Sequence, residues 1–327
     1  MRVTSLDGVA QALGLFGRRL VALVGGGGKT TLLFALGRTL PPRTLLTTTT
    51  RMGRERTGGF ACLIGPGETD LVDAFDADDA VLAWRSTDER KAVGFSPDSI
   101  DRWFASGLAD RIIVEADGAR RRPFTAPAPW EPPIPSSSTN VLACIGAEAL
   151  GYVIADRLHR PLRVAAAAEC SPYQRLTPRR AAAALTSELG MRKNVPATAR
   201  FSVIVSGADP HDPQVQELVA ELDQRGTESL VVLKTDSPKT DSPKTDSPKT
   251  DSRALAPAGD HAPASAGDLA SAGDLAPASA GDHAPASAGD HAPASAGDHA
   301  PAPASAGDHA PASASDLAPA GAHCIRP

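Results

Sequence analysis

Apolar and polar positions over the first 234 residues predict strands that alternate with helices. Apolar residues at helical spacing, or helix formers between stop signals, predict helices over residues 4–15, 29–40, 98–107, 178–190 and 213–225, with one more between residues 64 and 80. Compact apolar runs predict strands over residues 20–24, 44–47, 61–64, 80–84, 111–115, 141–145, 201–205 and 229–233. Pro, Arg and Ser make residues 120–139 a predicted irregular loop. The alternation indicates an α/β fold with a mostly parallel sheet flanked by helices.

The pattern ends near residue 234. All 13 aromatic residues lie at or before Phe201, and residues 235–327 repeat short units such as Thr-Asp-Ser-Pro-Lys and His-Ala-Pro-Ala-Ser-Ala-Gly-Asp. A segment without aromatic residues and with few branched aliphatic ones cannot bury enough apolar surface to offset its chain entropy. We therefore expect one folded domain over residues 1–234 and a disordered low-complexity tail over residues 235–327.

Charge and cysteine content narrow the class of protein. Residues 1–234 carry 28 basic and 26 acidic side chains, so no charge excess favours nucleic acid or a membrane surface as a partner. The four cysteines are far apart and include no Cys-x-x-Cys pair, which fits reduced thiols better than disulfides or a zinc site. No apolar run approaches the roughly 20 residues that cross a bilayer, and no secretory signal is recognised. We expect a cytoplasmic protein that binds neither nucleic acid nor membrane.

A glycine-rich loop joins the first core strand to the next helix. Successive glycines let backbone N–H groups turn toward a phosphate, and the start of the following helix adds partial positive charge. Lys29 is expected to reach the terminal phosphates of a nucleotide, and the Thr30 hydroxyl to bind Mg²⁺. The predicted nucleotide-binding loop consists of Gly25, Gly26, Gly27, Gly28, Lys29, Thr30 and Thr31.

This loop departs from the usual P-loop pattern, which has a glycine six residues before the lysine. Leu23 stands at that position, and the glycines are crowded next to Lys29. The loop resembles the Gly-Gly-x-Gly-Lys-Thr loop of ParA/MinD-like P-loop proteins, which carry a second lysine where this chain has Val24. The resemblance implies a P-loop NTPase-like fold that binds Mg²⁺ with ATP or GTP. It also implies a homodimer, because proteins of this branch often work as dimers.

Acidic residues follow the strand predicted over residues 111–115. Glu115 is expected to hold Mg²⁺, and Asp117 to position water or a substrate hydroxyl, so that Lys29, Glu115 and Asp117 form the candidate catalytic group. Ordinary solvated carboxylates at a strand end are the alternative. Thr49, in a run of four threonines, is a further candidate Mg²⁺ ligand, although such threonines also suit a strand.

Two further segments suggest ligand contacts. Asp209 follows a strand where GTP-specific relatives carry Asn-Lys-x-Asp, so Asp209 is a candidate base-binding residue; a plain strand-to-helix turn fits the segment equally well. Clustered arginines bind anionic groups in a bidentate way, and a solvated basic loop is the alternative. The candidate substrate or partner contacts are Arg120, Arg121, Arg122, His159 and Arg160.

Seven segments stand in order along the chain, over residues 24–31, 46–51, 113–119, 122–127, 131–135, 159–160 and 176–178. Together they resemble the YqeC-type family of selenium-dependent hydroxylase accessory proteins. The resemblance implies a role in maturing molybdenum hydroxylases that carry a labile selenium ligand. It implies a client hydroxylase, or a selenium-delivery protein, as the partner.

Three functions are therefore in competition. The first is a Mg²⁺-dependent NTPase that drives insertion of selenium or of a cofactor into a hydroxylase. The second is a small-molecule kinase or ligase with its substrate beside Asp117. The third is a nucleotide-switched scaffold with little turnover. The residues alone do not separate them.

Overall fold

A computed structural model describes residues 1–234, which form twelve strands and eight α-helices. The predicted tail over residues 235–327 lies outside the described residues. The strands are β1 Val3–Thr4, β2 Arg19–Gly25, β3 Thr44–Thr48, β4 Arg51–Gly53, β5 Ala61–Ile64, β6 Ala80–Trp84, β7 Ser86–Thr87, β8 Lys91–Val93, β9 Arg111–Glu115, β10 Asn140–Gly146, β11 Arg200–Ala208 and β12 Glu228–Leu233. The helices are α1 Val9–Leu13, α2 Lys29–Thr39, α3 Glu68–Ala77, α4 Pro97–Ser106, α5 Ile154–Arg157, α6 Pro161–Ala167, α7 Pro178–Thr186 and α8 Pro213–Gln224.

The main sheet has nine strands in the order β1-β12-β11-β10-β2-β9-β3-β6-β5, and every neighbouring pair in it is parallel. Alternate residues of a strand face opposite sides of a sheet. Ala22 and Val24 of β2 accordingly pack in one apolar cluster, while Val21 and Leu23 pack in another with helix α2. The predicted α/β fold, with a mostly parallel sheet flanked by helices, is confirmed.

A second, small sheet was not predicted. Its strands lie in the order β4-β8-β7, and both neighbouring pairs are antiparallel. Strand β4 follows the threonine run at the end of β3. Met52 of β4 is buried and accepts a hydrogen bond of 3.2 Å from the indole N–H of Trp84. Strands of two or three residues are too short to show an alternating pattern of apolar and polar residues, so the sequence does not reveal them. Strand pairing and one anchored side chain hold them in place.

Several predicted bounds change in the structure. The helix expected over residues 4–15 is shorter, because its start is the edge strand β1 and Gly14 ends α1 with a left-handed φ of 66°. The helix expected over residues 178–190 ends at Thr186, and Gly190 lies in the turn that follows. Helices α5 and α6 were not predicted. Within residues 1–234, no helix has both the length and the apolarity needed to span a membrane.

The residues 120–139 form the predicted irregular loop, and tertiary contacts fix its first half. Phe124 is fully buried in the core, and its carbonyl accepts a hydrogen bond of 3.1 Å from the N–H of His159. The carbonyl of Pro123 accepts one of 2.8 Å from the N–H of Gly146, at the end of β10. The loop therefore lies over the edge of the sheet where β2, β9 and β10 end.

Candidate functional site

The glycine-rich loop leaves β2 in a conformation that only glycine adopts readily. Gly25, Gly27 and Gly28 have φ values of 91°, 72° and 99°. The N–H of Gly26 donates to the carbonyl of Cys144 on β10 over 2.9 Å, and the hydroxyl of Ser206 on β11 donates to the carbonyl of Gly27. Helix α2 starts directly afterwards, so its first N–H groups, which have no acceptor inside the helix, face the same side as the loop.

Thr30 and Glu115 meet at the start of α2. Because β2 and β9 are neighbours, with Leu23 opposite Glu115, the end of β9 lies beside the loop. The Thr30 hydroxyl donates to Glu115 Oε2 over 2.7 Å. A hydroxyl and a carboxylate are oxygen ligands of the kind that Mg²⁺ takes from a protein when phosphates and water complete its shell. Among the described residues no group of three or more His, Cys, Asp or Glu could hold a metal by itself, so the residues fit a cation shared with a phosphate.

Lys29 forms a buried ion pair with Asp117. Its Nζ lies 3.0 Å from Asp117 Oδ1 and also donates to the carbonyl of Gly25. The other carboxylate oxygen of Asp117 accepts from the N–H of Gly25 over 2.7 Å. Both side chains are at least 95% buried. In this structure the ammonium group of Lys29 is folded back against its own loop. Asp117 contacts both ends of that loop, Gly25 and Lys29.

Burial dominates the electrostatics of the site. It raises the pKa of Asp117 and of Glu115, and the nearby charge of Lys29 only partly opposes this effect. Burial by itself would lower the pKa of Lys29, but the charges of Asp117 and Glu115 together hold it above its ordinary value of 10.5. All three shifts arise because two carboxylates and one ammonium group share a site with little solvent. These three groups carry one negative charge in excess, an arrangement that favours an added cation.

A cleft of about 380 Å³ opens in front of the loop. Part of the glycine-rich loop, the start of α2 and the end of β9 line it through Gly27, Gly28, Lys29, Thr30, Thr31 and Glu115. Six cationic side chains also line it: Arg51, Arg56, Lys91, Arg120, Arg121 and Arg122. The backbones of Arg120 and Arg121 are left-handed, with φ values of 48° and 60°, a conformation that non-glycine residues adopt at a cost and that is frequent at functional sites.

Comparisons with known proteins found similar sequences. The family described as YqeC protein matches residues 21–162. The protein YqeC of Escherichia coli strain K12 is 30% identical over 219 residues, which cover 64% of this chain and 85% of the E. coli protein. The chain belongs to the YqeC family. No solved structure matches it. The matched range includes the glycine-rich loop, Glu115, Asp117 and the loop over residues 120–139, called the arginine loop below. The candidate site therefore lies within the part shared with the YqeC family.

The structure brings most of the predicted site residues of this YqeC-family chain together. Gly25, Gly26 and Asp117 lie directly beneath the cleft, since Asp117 bonds to Gly25 and Gly26 bonds to β10. Thr49 does not line the cleft; its N–H donates to the carbonyl of Glu115 over 3.1 Å, and its hydroxyl is buried without a hydrogen-bond partner among residues 1–234. Its role as a Mg²⁺ ligand stays a prediction.

His159 and Arg160 lie behind the arginine loop and outside the cleft. The Nδ1 of His159 lies 3.1 Å from the Thr125 hydroxyl, and burial, followed by the charge of Arg160, lowers its pKa. Arg160 makes a two-pronged ion pair with Glu131, with Nη2 2.9 Å from Oε1. Both side chains fasten the loop over residues 120–139 to the body of the domain, so in this structure they position the arginines.

Asp209 is exposed at the end of β11, outside the cleft. Its Oδ1 accepts a hydrogen bond of 2.8 Å from the N–H of His211, as in an ordinary turn before a helix. The nearby Ser206 reaches the glycine-rich loop through its bond to Gly27. The two interpretations of Asp209, base binding and turn formation, therefore both remain compatible with its position.

The sequence did not single out four residues that line the cleft. Glu55, Arg56 and Lys91 come from the small sheet and its connection, and Glu148 follows β10. Arg51 also lines this cleft, whereas Arg54 lines a neighbouring surface pocket. The one available signal was the charge density over residues 51–56, where three arginines and one glutamate stand within six positions.

Proposed function

We propose that this YqeC-family chain is a Mg²⁺-dependent nucleotide-binding accessory protein that couples ATP or GTP hydrolysis to the maturation of a selenium-dependent molybdenum hydroxylase. One observation carries the nucleotide part: the Gly25–Gly28 loop, the start of α2 and Glu115 lie together, and Thr30 bonds to Glu115 over 2.7 Å. The client part rests on the family resemblance of the sequence segments, and its partner is a hydroxylase or a selenium-delivery protein.

Each residue has a definite part in this proposal. The loop N–H groups and the start of α2 hold the phosphates. Lys29 leaves Asp117 and moves to the terminal phosphates, where its charge is better satisfied than in the buried pair. Thr30 and Glu115 would hold Mg²⁺, which would neutralise phosphate charge there. Asp117, released from Lys29 and high in pKa, accepts a hydrogen bond from the attacking water or hydroxyl.

The arginine loop gives the proposal its partner contact. Arg120 and Arg121 line the same cleft as the glycine-rich loop, and Arg121 is largely exposed. A client that offers an acidic surface would bind these guanidinium groups and at the same time cover the terminal phosphate. With this arrangement, turnover would depend on the client. The charged cleft also favours the second candidate, a small-molecule kinase or ligase.

Calorimetric titration of the full chain with non-hydrolysable ATP and GTP analogues, with and without Mg²⁺, tests the nucleotide part. We expect Mg²⁺-dependent binding that prefers one base. Lys29→Ala should weaken binding by about 10- to 150-fold, the range of a charge-assisted hydrogen bond. Lys234→Ala removes the same charge from an exposed position and is the control. Failure of both analogues to bind, or equal affinity in the Lys29 variant, would overturn the assignment.

Turnover measurements separate the candidate functions. Hydrolysis that rises only when a molybdenum hydroxylase is added supports the accessory role. Phosphate transfer to a metabolite without any protein partner supports the kinase or ligase. Tight binding with no hydrolysis in either condition supports a switched scaffold and contradicts the proposed coupling to hydrolysis.

A further inference from the structure

The cleft has a second set of cationic side chains besides the groups assigned to a nucleotide. The glycine-rich loop, Lys29 and the start of α2 supply the donors for a phosphate chain. Six more cationic side chains that line the cleft come from the small sheet, its connection and the arginine loop. Among the described residues, three acidic ones line the same cleft: Glu55, Glu115 and Glu148. With Lys29, the cleft therefore holds seven cationic side chains against three acidic ones.

Two of the six cations are already engaged. Arg51 pairs with Asp88 at 2.7 Å, and both side chains are substantially exposed. The guanidinium group of Arg122 donates to the carbonyls of Asp156 and Arg157 over 3.2 and 3.4 Å. These two arginines have structural partners, so they are weaker candidates for ligand binding.

The other four cations have donors to spare. Arg56 and Arg121 share one acid, Glu55, each at 3.8 Å, which is too long for a hydrogen bond. Within residues 1–234, the side chains of Lys91 and Arg120 make neither an ion pair nor a hydrogen bond. This group of Arg56, Lys91, Arg120 and Arg121 is called the four-cation group below. Glu55 alone does not balance it.

Both walls that carry the four-cation group are anchored. On one side, Met52 is buried against Trp84, and Gly53 pairs with Lys91 across β4 and β8. On the other, buried Phe124 and the bond from Gly146 to Pro123 hold the arginine loop. Rigid supports allow planar guanidinium groups to bind an oxyanion in a fixed orientation.

We propose that the four-cation group is a second substrate site, which binds a small oxyanion-bearing molecule, a phosphate ester or a carboxylate, beside the terminal phosphate of the nucleotide. The volume of the cleft, about 380 Å³, suits a small molecule. This inference rests on the proposed nucleotide site. It adds a class of substrate that the nucleotide site by itself does not define.

The test uses the full chain, first saturated with Mg²⁺ and whichever nucleotide analogue it binds. Inorganic phosphate and 3-phosphoglycerate are then titrated in the calorimeter. We expect both to bind, and 3-phosphoglycerate to bind more tightly because it carries a phosphate and a carboxylate. The double variant Arg56→Ala/Lys91→Ala should lose about 10- to 100-fold in affinity for 3-phosphoglycerate.

A matched control removes two positive side chains from residues that adjoin the same small sheet. Arg54 and Arg90 lie next to Arg56 and Lys91 but outside the cleft, so Arg54→Ala/Arg90→Ala should keep the affinity within a factor of two. Thermal unfolding of both double variants shows whether the small sheet is intact. If the cleft variant unfolds early, Arg120→Gln and Arg121→Gln, on the opposite wall, replace it in the same titration.

The outcomes are separable. Normal nucleotide binding without binding of either probe overturns the second site and leaves the nucleotide site standing. Equal losses in the two double variants also overturn it, because total charge would then explain the effect. Binding of a single-stranded oligonucleotide but of neither small probe would overturn it as well. If no nucleotide binds, the proposed function fails. The two probes are then titrated into the Lys29→Ala chain without nucleotide, and the same comparison of the two double variants still tests the four-cation group.

Discussion

Gly26 lies against the backbone of Phe124. A Cβ on Gly26 would come within 2.8 Å of both the N and the Cα of Phe124, and within 2.7 Å of the carbonyl oxygen of Arg122. No rotamer change relieves a contact with backbone atoms, and Phe124 cannot retreat because its side chain is fully buried. The glycine-rich loop and the arginine loop are thus packed directly on each other, and a displacement of one moves the other.

Gly26→Ala should therefore destabilise the domain and weaken nucleotide binding together. The expected cost is about 1–3 kcal/mol, as for overpacking elsewhere in protein interiors, and urea unfolding measures it. Gly118→Ala is the control, because a Cβ at Gly118 meets no atom within 4 Å. Unchanged stability in the Gly26 variant would show that the two loops separate easily, contrary to the packing described.

Glu115→Gln should make the nucleotide-free protein more stable near neutral pH and reduce the dependence of its stability on pH. Burial raises the pKa of Glu115 above its ordinary value of 4.5. A carboxyl with a raised pKa in the folded state adds stability that is fully present below the unfolded pKa and is lost as pH rises through the folded one. The glutamine variant escapes that loss, since it carries no proton to release.

Thermal unfolding from pH 4 to pH 8 without Mg²⁺ tests this prediction. The wild-type melting temperature should fall, relative to that of the variant, as pH rises above 4.5, the ordinary pKa of a glutamate. Glu148→Gln, which removes a carboxylate from the rim of the cleft, is the control. A variant that is less stable than wild type at pH 8 would contradict burial as the cause of the shift.

The buried pair of Lys29 and Asp117 predicts a strong coupling between two substitutions. Asp117→Asn leaves the ammonium group of Lys29 buried without its ion-pair partner, which should cost about 3–5 kcal/mol. Lys29→Met in the same chain removes the isolated charge, so the double variant should recover much of that stability. Urea unfolding of wild type, both single variants and the double variant gives the coupling energy. Simple additivity would mean that the pair does not form in solution.

The sequence was informative where a local pattern determines the structure. The bounds of β5, β6 and β9 agree with the predicted strands, because each is a compact apolar run with clear ends. The glycines before Lys29 predicted the loop, since left-handed φ values restrict the choice of residue. The helical and strand elements that frame Lys29 and Glu115 were thus predictable, although their chemistry stays a proposal.

The sequence was uninformative where contacts between distant residues decide. Nothing near His159 shows that it lies beside Thr125, and nothing near Arg160 shows that it pairs with Glu131. Lys91 reaches the cleft only because β8 pairs with β4, which has three residues. Such placements depend on tertiary packing, which local periodicity does not encode.

Cys144 gives a last prediction, because it lies on β10 directly behind the glycine-rich loop. It is 1% exposed, and burial raises the pKa of its thiol to about 12 despite the charge of Lys29. Thiolates, not thiols, react with alkylating agents and bind soft atoms such as selenium. At pH 8 only about one thiol in ten thousand would be ionised at such a pKa, so Cys144 should resist iodoacetamide in the folded chain.

Mass spectrometry of the labelled, digested protein tests this expectation. Cys62 and Cys170 are only partly buried, so they are the internal controls and should label first. In urea Cys144 should label as well, which shows that the fold protects it. Labelling of Cys144 at the rate of Cys170 in the native chain would mean that β10 opens readily beside the nucleotide site. It would also make this thiol a candidate selenium carrier, a role that its burial argues against.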